Sequence, residues 1–354
     1  MRRLTVFCVL VTAAAIGVAT LQAPGAVTAA YGTRVYPALQ SVITPLSNRT
    51  RIPLFDVLML GMGVALVTAT ILAARRAWKR RRFAPLLRVA LVALAVASLG
   101  YLWFLAAWGQ NYRRPGVEVS LDGFRPDRVT PAAVRALAER AVEEANRLHT
   151  PAHAQGFPDI DAVPADLATA LHRVERRLGR PTPTVFATPK QPLTAPYMRA
   201  VGVSGMLAPL FLETYLNPDL TGPERPYVLA HEWAHLSGFA PEEDASFVGV
   251  LAALDADVAS QYSAWLFLVL ETARQLQRVT RDLVLAGLAD GPRQDLEAIE
   301  FRQRSRVPWL DRASWIAYDR AIKSQGAETG VAGYGRVVQL LLGSGVLERK
   351  QAGW

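Results

Sequence analysis

The sequence predicts a membrane-anchored, mainly α-helical protein: three N-terminal transmembrane helices followed by an α+β domain with a small sheet. Three observations predict it. Long uncharged apolar runs are confined to the first third of the chain, the positive charge is confined to the same third, and the remainder shows helical apolar spacing interrupted by only short strand-like stretches. The chain has 354 residues, 51% hydrophobic and 19% charged, which excludes a disordered or fibrous protein. Its net charge of +9 suggests a polyanion-binding surface until it is divided by region. Residues 1–114 hold 14 basic residues and one acid, Asp56, a balance of +13, whereas residues 115–354 hold 25 basic and 29 acidic residues, a balance of −4. The expected partner is therefore the lipid bilayer and not nucleic acid. The single cysteine, Cys8, excludes an intrachain disulfide and a cysteine-based metal site.

Residues 4–33, 57–74 and 89–112 carry no charge, and about 20 apolar residues cross the hydrocarbon core. Spans are expected at about residues 4–24, 54–74 and 89–109, giving a membrane region over 1–114 and a second domain over 115–354. The first run also has features of a cleaved signal peptide, with Arg2 and Arg3 ahead of it, but it exceeds the 7–15 residues of a usual h-region. Between the second and third runs lies the densest basic cluster, Arg75, Arg76, Lys79 to Arg82 and Arg88. The positive-inside bias places it in the cytoplasm. The localisation that follows is a multi-pass cell-membrane protein with residues 115–354 extracytoplasmic; the three arginines in 34–52 run mildly against it. Asp56 reads as an interfacial residue.

In the second domain, Thr130 and Pro131 predict an N-capped helix to about Leu148. A second helix is expected over 165–178, stopped by Gly179. Short strands are expected over 184–187 and 200–207, the latter with alternating Val201, Val203 and Gly205, and 201–205 is a candidate edge strand for an extended peptide. Residues 223–236 and much of 241–276 read as helical. Asp290-Gly291-Pro292 predicts a break, and helices are expected over 315–323 and 333–342. The apolar segment 265–270 is too short to span and reads as core.

His231-Glu232-Trp233-Ala234-His235 has the form H-E-x-x-H. On a helix, positions i and i+4 face the same way, so both imidazoles reach one metal, while Glu232, rotated by about 100°, addresses a metal-bound water. Gly238 allows the chain to reverse and Pro241 suits a new helix, whose first turn holds Glu242, Glu243 and Asp244. These acids complement the helix dipole, or one of them completes the three protein ligands of a catalytic zinc site.

The stretch HEWAHLSGFAPEEDASF at residues 231–247 resembles the signature of the DUF3810 family, membrane proteins with a zincin-type metallopeptidase domain. Further blocks carry the resemblance: WGQNYRR at 108–114, Glu213 and Asn217 in FLETYLNP, Tyr318-Asp319, and GVAGYGRVV at 330–338. The resemblance implies a zincin-like fold, Zn2+ as cofactor, His231 and His235 as ligands and Glu232 as general base. The glutamate-ligand pattern E-x-x-A-[DN] of similar zincins matches Glu242 through Ala245, with Ser246 where Asp or Asn is usual. Glu242 is the first choice as third ligand, and Glu243 and Asp244 are the alternatives.

Glu213 is a candidate acceptor for a ligand imidazole, or the cap of a turn. Tyr262, Tyr318, Tyr334 and Arg336 are weighed as oxyanion stabilisers and read chiefly as packing residues. His149, His153 and His172 have no ligand spacing to the motif and read as surface residues. The expected function is zinc-dependent hydrolysis of a peptide or amide bond in a peptide, protein or cell-envelope substrate. The rival is a non-catalytic envelope module with a structural zinc or none.

Overall fold

The computed structural model describes residues 2–20, 25–121, 123–180, 182–324 and 335–351. Helices α1 (Arg2–Thr20), α2 (Gly25–Ala30), α3 (Tyr36–Ser47), α4 (Leu54–Arg80) and α5 (Ala84–Ala107) precede the second region. It contains α6 (Pro131–Gln155), α7 (Ala165–Arg177), α8 (Ala195–Ala200), the strands β1 (Gly205–Ala208) and β2 (Glu213–Leu216), and then α9 (Arg225–Leu236) and α10 (Glu242–Leu254). Helices α11 (Val258–Gln275), α12 (Arg278–Ala286), α13 (Asp290–Gln303), α14 (Pro308–Ser324), α15 (Arg336–Ser344) and α16 (Val346–Gln351) complete it.

The three expected spans become two. Among the described residues only α4 and α5 are long and apolar enough to cross a membrane. Arginines occupy the start of α1 and the helix ends at Thr20, so its apolar part, Arg3–Val18, falls short of the ~20 residues that a crossing needs. Instead α1 lies along α5, where Cys8 Sγ donates to the Leu91 carbonyl at 3.1 Å and the Thr12 and Ser98 hydroxyls meet at 3.1 Å. Helices α4 and α5 form a hairpin whose turn carries Arg81 in the left-handed region, φ 47°.

The segment from Tyr31 through α3 to the start of α4 belongs structurally with the second region. Tyr31 and Tyr36 join its hydrophobic core, and Tyr36 donates its hydroxyl to the Leu236 carbonyl at 2.6 Å. Glu213 on β2 accepts the backbone N–H groups of Leu54 and Phe55 at 3.0 and 2.9 Å, capping α4, and pairs with the buried Lys190 ammonium at 2.6 Å. A carboxylate at a helix start compensates N–H groups that have no intrahelical acceptor. Asp56, expected at a membrane interface, is buried and accepts from the Thr194 N–H at 3.0 Å.

The expected strand at 184–187 is absent. Its backbone is taken by side chains instead: Gln40 accepts from the Val185 N–H, and Asn48 donates to the Phe186 carbonyl and accepts from the Thr188 N–H. The second strand starts only at Gly205, because 195–200 coil into α8, and its antiparallel partner is 213–216, with Gly205 opposite Leu216 and Ala208 opposite Glu213. The helical stretch 241–276 is two helices, separated where Asp257 caps α11 by accepting the Ser260 N–H at 2.8 Å. Thr130 caps α6 and the segment 265–270 lies on α11, with Trp265, Leu266, Leu268 and Val269 buried, both as expected. The expected break at 290–292 is the start of α13, and the helix expected from 333 is described only from Arg336.

Every residue of α10 is buried, enclosed by α7, α9, α11 and α15. The two-stranded sheet lies beside α9. The H-E-x-x-H motif therefore sits between the most enclosed helix of the molecule and a short sheet edge.

Candidate metal centre

Helix α9 begins after a capping box in which Thr221 and Glu224 satisfy each other's backbone N–H groups. Its apolar face enters the core through Leu229, Ala230, Trp233 and Ala234. Gly249 lets α10 approach closely, since a Cβ there would stand 3.0 Å from the His231 backbone nitrogen. After α9, Gly238 adopts φ 84° and turns the chain back, and α10 brings Glu242 against both histidines. Glu242 Oε2 is 3.2 Å from His231 Nε2 and 3.4 Å from His235 Nε2.

Each imidazole is oriented from its far side. The Phe239 carbonyl can only accept, so His235 donates from Nδ1 at 3.0 Å, and the Ser246 hydroxyl lies 3.3 Å from His231 Nδ1. Both Nε2 atoms thus face Glu242, whose other oxygen receives the Tyr318 hydroxyl at 2.5 Å. Glu242 Oε2 has no hydrogen bond despite its burial. Such a set of convergent, buried donor atoms fits a divalent cation.

The charges answer to this geometry. For Glu242 burial acts upward, but the two imidazoles overcome it and hold the carboxyl well below the usual range. For His235 burial acts downward and is outweighed by Glu242 and Glu232, which raise it to about 9. His231 is lowered, chiefly by burial. Glu232 is pushed up to about 8 by burial, and its Oε2 is buried with no hydrogen bond.

His231 and Glu232 form one wall of a cavity of about 510 Å³, with Ser204 and Gly205 on the rim and Val228, Leu266, Phe267 and Leu270 as apolar lining. A Cβ at Gly205 would come within 2.5 Å of Glu232 Oε1, so only glycine fits at this strand start. Glu224 and Arg302, an ion pair at 2.6 Å, brace the adjoining wall.

Of the predicted site residues, the structure brings together His231, His235, Glu232 and Glu242. Tyr318, weighed as an oxyanion stabiliser, joins them through Glu242, and the other candidates stand apart. Glu243 faces Arg336 at 3.5 Å, and Asp244 accepts the Val117 N–H at 3.0 Å. Glu213 contacts α4 and Lys190 and no ligand imidazole. Arg336 pairs with Glu118, Tyr262 donates to Asp295, and Tyr334 lies outside the described residues. Of the histidines read as surface residues, His153 is exposed as expected, whereas His149 is partly buried, and the two meet Asp295 in a second cluster. His172 is also half-buried, stacked on Phe186 at 4.7 Å. Ser246, Tyr318 and the Phe239 carbonyl were not singled out as ligand supports; for Ser246 a signal existed, since it occupies the departing position of the glutamate pattern.

Trp108, the first residue after α5, places its ring 6.4 Å from that of His235. No curated protein and no solved structure matches the chain. Residues 31–342 match the family described as protein of unknown function, DUF3810, and the chain belongs to that family.

Proposed function

We propose that this chain is a membrane-anchored zinc peptidase, hydrolysing a peptide or amide bond at the outer face of the membrane. The observation that carries the proposal is the convergence of His231 Nε2, His235 Nε2 and Glu242 Oε2 beside a cavity that Glu232 also lines. Glu242 Oε2 lies 3.2 and 3.4 Å from the two imidazole nitrogens, so His231, His235 and Glu242 would hold the ion together. Bound zinc supplies a Lewis acid and an acidified water.

The protein's own groups do the rest. Phe239 and Ser246 orient the imidazoles, and Tyr318 holds the far oxygen of Glu242. Glu232, which lines the cavity beside the two histidines, would take a proton from the attacking water and return it to the leaving amine. Strand β1 lies beside α9, and a substrate strand aligned along it would present its carbonyl near Glu232. The cavity joins an apolar wall of Val228, Leu266, Phe267 and Leu270 to the charged Glu224, Glu271, Arg274 and Arg306, so it suits a substrate side chain with apolar and polar parts.

The orientation rests on charge. The α4–α5 turn lies within the basic cluster at 75–88 and belongs in the cytoplasm. Both ends of the hairpin, and the domain they carry, then face outward.

Full-length protein in detergent, loaded with zinc and given a fluorogenic peptide library, tests the reading. Glu232→Gln is expected to retain zinc while turnover falls by roughly 10²–10⁴-fold. Unchanged turnover in that variant, or wild-type protein holding zinc without any hydrolysis, overturns it.

A further inference from the structure

A second pair of histidines stands one turn apart on α6. The rings of His149 and His153 are 4.3 Å apart, and both edges face Asp295 on α13. Asp295 Oδ2 lies 2.9 Å from His153 Nε2 and 3.7 Å from His149 Nε2. Tyr262 on α11 donates its hydroxyl to the same oxygen at 2.5 Å. The three ligand atoms fall within 4.8 Å of one another, and the side chains are 25%, 40% and 15% exposed, so the cluster is held in place yet open to an ion from solvent.

The arrangement exceeds a surface ion pair. One carboxylate oxygen collects two imidazoles and a phenol from two other helices, and the chain is shaped to allow it: a Cβ at Gly291 would come within 2.4 Å of the His149 ring. Two imidazoles at helical i, i+4 spacing with one carboxylate are the donor set of borderline first-row ions, with one position left for water or a phenol. We propose that His149, His153 and Asp295 form a second divalent-metal site of the zinc class, distinct from the H-E-x-x-H centre. Its ion links α6 to α13. Asp295 lies one turn before Ile299 and two before Gln303 on α13, both of which line the cavity, so the ion fixes the cavity wall from behind.

The test is zinc stoichiometry in the full-length protein, stripped with chelator, reloaded with Zn2+ and freed of excess by gel filtration. Wild type is expected to hold two ions, His231→Ala one, and the double variant His149→Gln/His153→Gln one. Added zinc should still raise Tm in His231→Ala and should lose this effect when the α6 histidines are also replaced. Asp295→Asn, which keeps the size of the side chain, should also lose one ion with an unchanged circular dichroism spectrum. Stoichiometry that is the same in wild type and in His149→Gln/His153→Gln overturns the second site. One ion in wild type that survives His231→Ala but not His149→Gln/His153→Gln upholds this site and sinks the zinc peptidase instead.

Discussion

Two pairs of histidines, each one helical turn apart, meet a carboxylate from a later helix, yet they occupy opposite conditions. The pair on α9 is buried, and its acid is 11 residues away from His231 in sequence; the pair on α6 is partly exposed, and its acid comes from residue 295. At α9 each imidazole is fixed through Nδ1, leaving Glu242 Oε2 without a hydrogen bond. At α6 the carboxylate already receives a histidine and a tyrosine. The first pair and its acid are thus enclosed from solvent, while the second is open to it.

Five substitutions sharpen or break this contrast. The largest effect is expected from His235→Ala in metal-free protein. It removes the strongest stabiliser of a buried Glu242 charge and should cost roughly 3–5 kcal/mol, whereas His153→Ala, at a half-open site, should cost under about 1 kcal/mol; denaturant unfolding in chelator compares them, and equal losses would erase the distinction. Ser246→Ala comes next. Losing the support behind His231 should weaken zinc at α9 roughly 10–100-fold and leave the α6 ion unchanged, as read by competition with a chelating dye. Gly291→Ala reverses the selectivity: its methyl meets the His149 ring, for about 1 kcal/mol of overpacking, with α9 zinc affinity unaltered in the same assay.

The smallest effect falls on α11, the helix behind both sites. Burial raises the Glu271 carboxyl above its ordinary range, against Arg274. The folded chain then holds the proton more tightly than the unfolded one, so stability is full below the unfolded value and declines as pH rises through the raised one. Glu271→Gln should flatten that decline, by about 1 kcal/mol or less, in thermal melts from pH 4 to pH 8; a slope unchanged by the substitution would show that the decline arises elsewhere.

The difference between the pairs also explains what could be read from the sequence. His231, Glu232, His235 and Glu242 lie within 12 residues, so helix geometry and one reversal at Gly238 bring them together, and local chemistry reveals them. His149, His153 and Asp295 meet only through the packing of α6, α11 and α13, which no local pattern encodes. The same holds for Glu213, whose role at the start of α4 requires knowing that β2 lies under that helix. A helix start was legible where a side chain caps it, as at Thr130. The strand at 184–187 was not, because Gln40 and Asn48, some 140 residues earlier, take up backbone groups there. The first span differs for another reason: an uncharged run counts residues that need not belong to one helix, and among the described residues the apolar part of α1 covers only Arg3–Val18.

The position of Trp108 sets a reach. On the proposed topology and activity, the indole that follows the last residue of α5 lies edge-on to His235, so the depth of the site would be set from the lipid surface by a single residue of chain. No linker lets the domain search outward. Cleavable bonds would be confined to a thin layer at the membrane, selected by their height above it as much as by their side chains, and a bond far out on a long ectodomain would be spared for want of altitude alone.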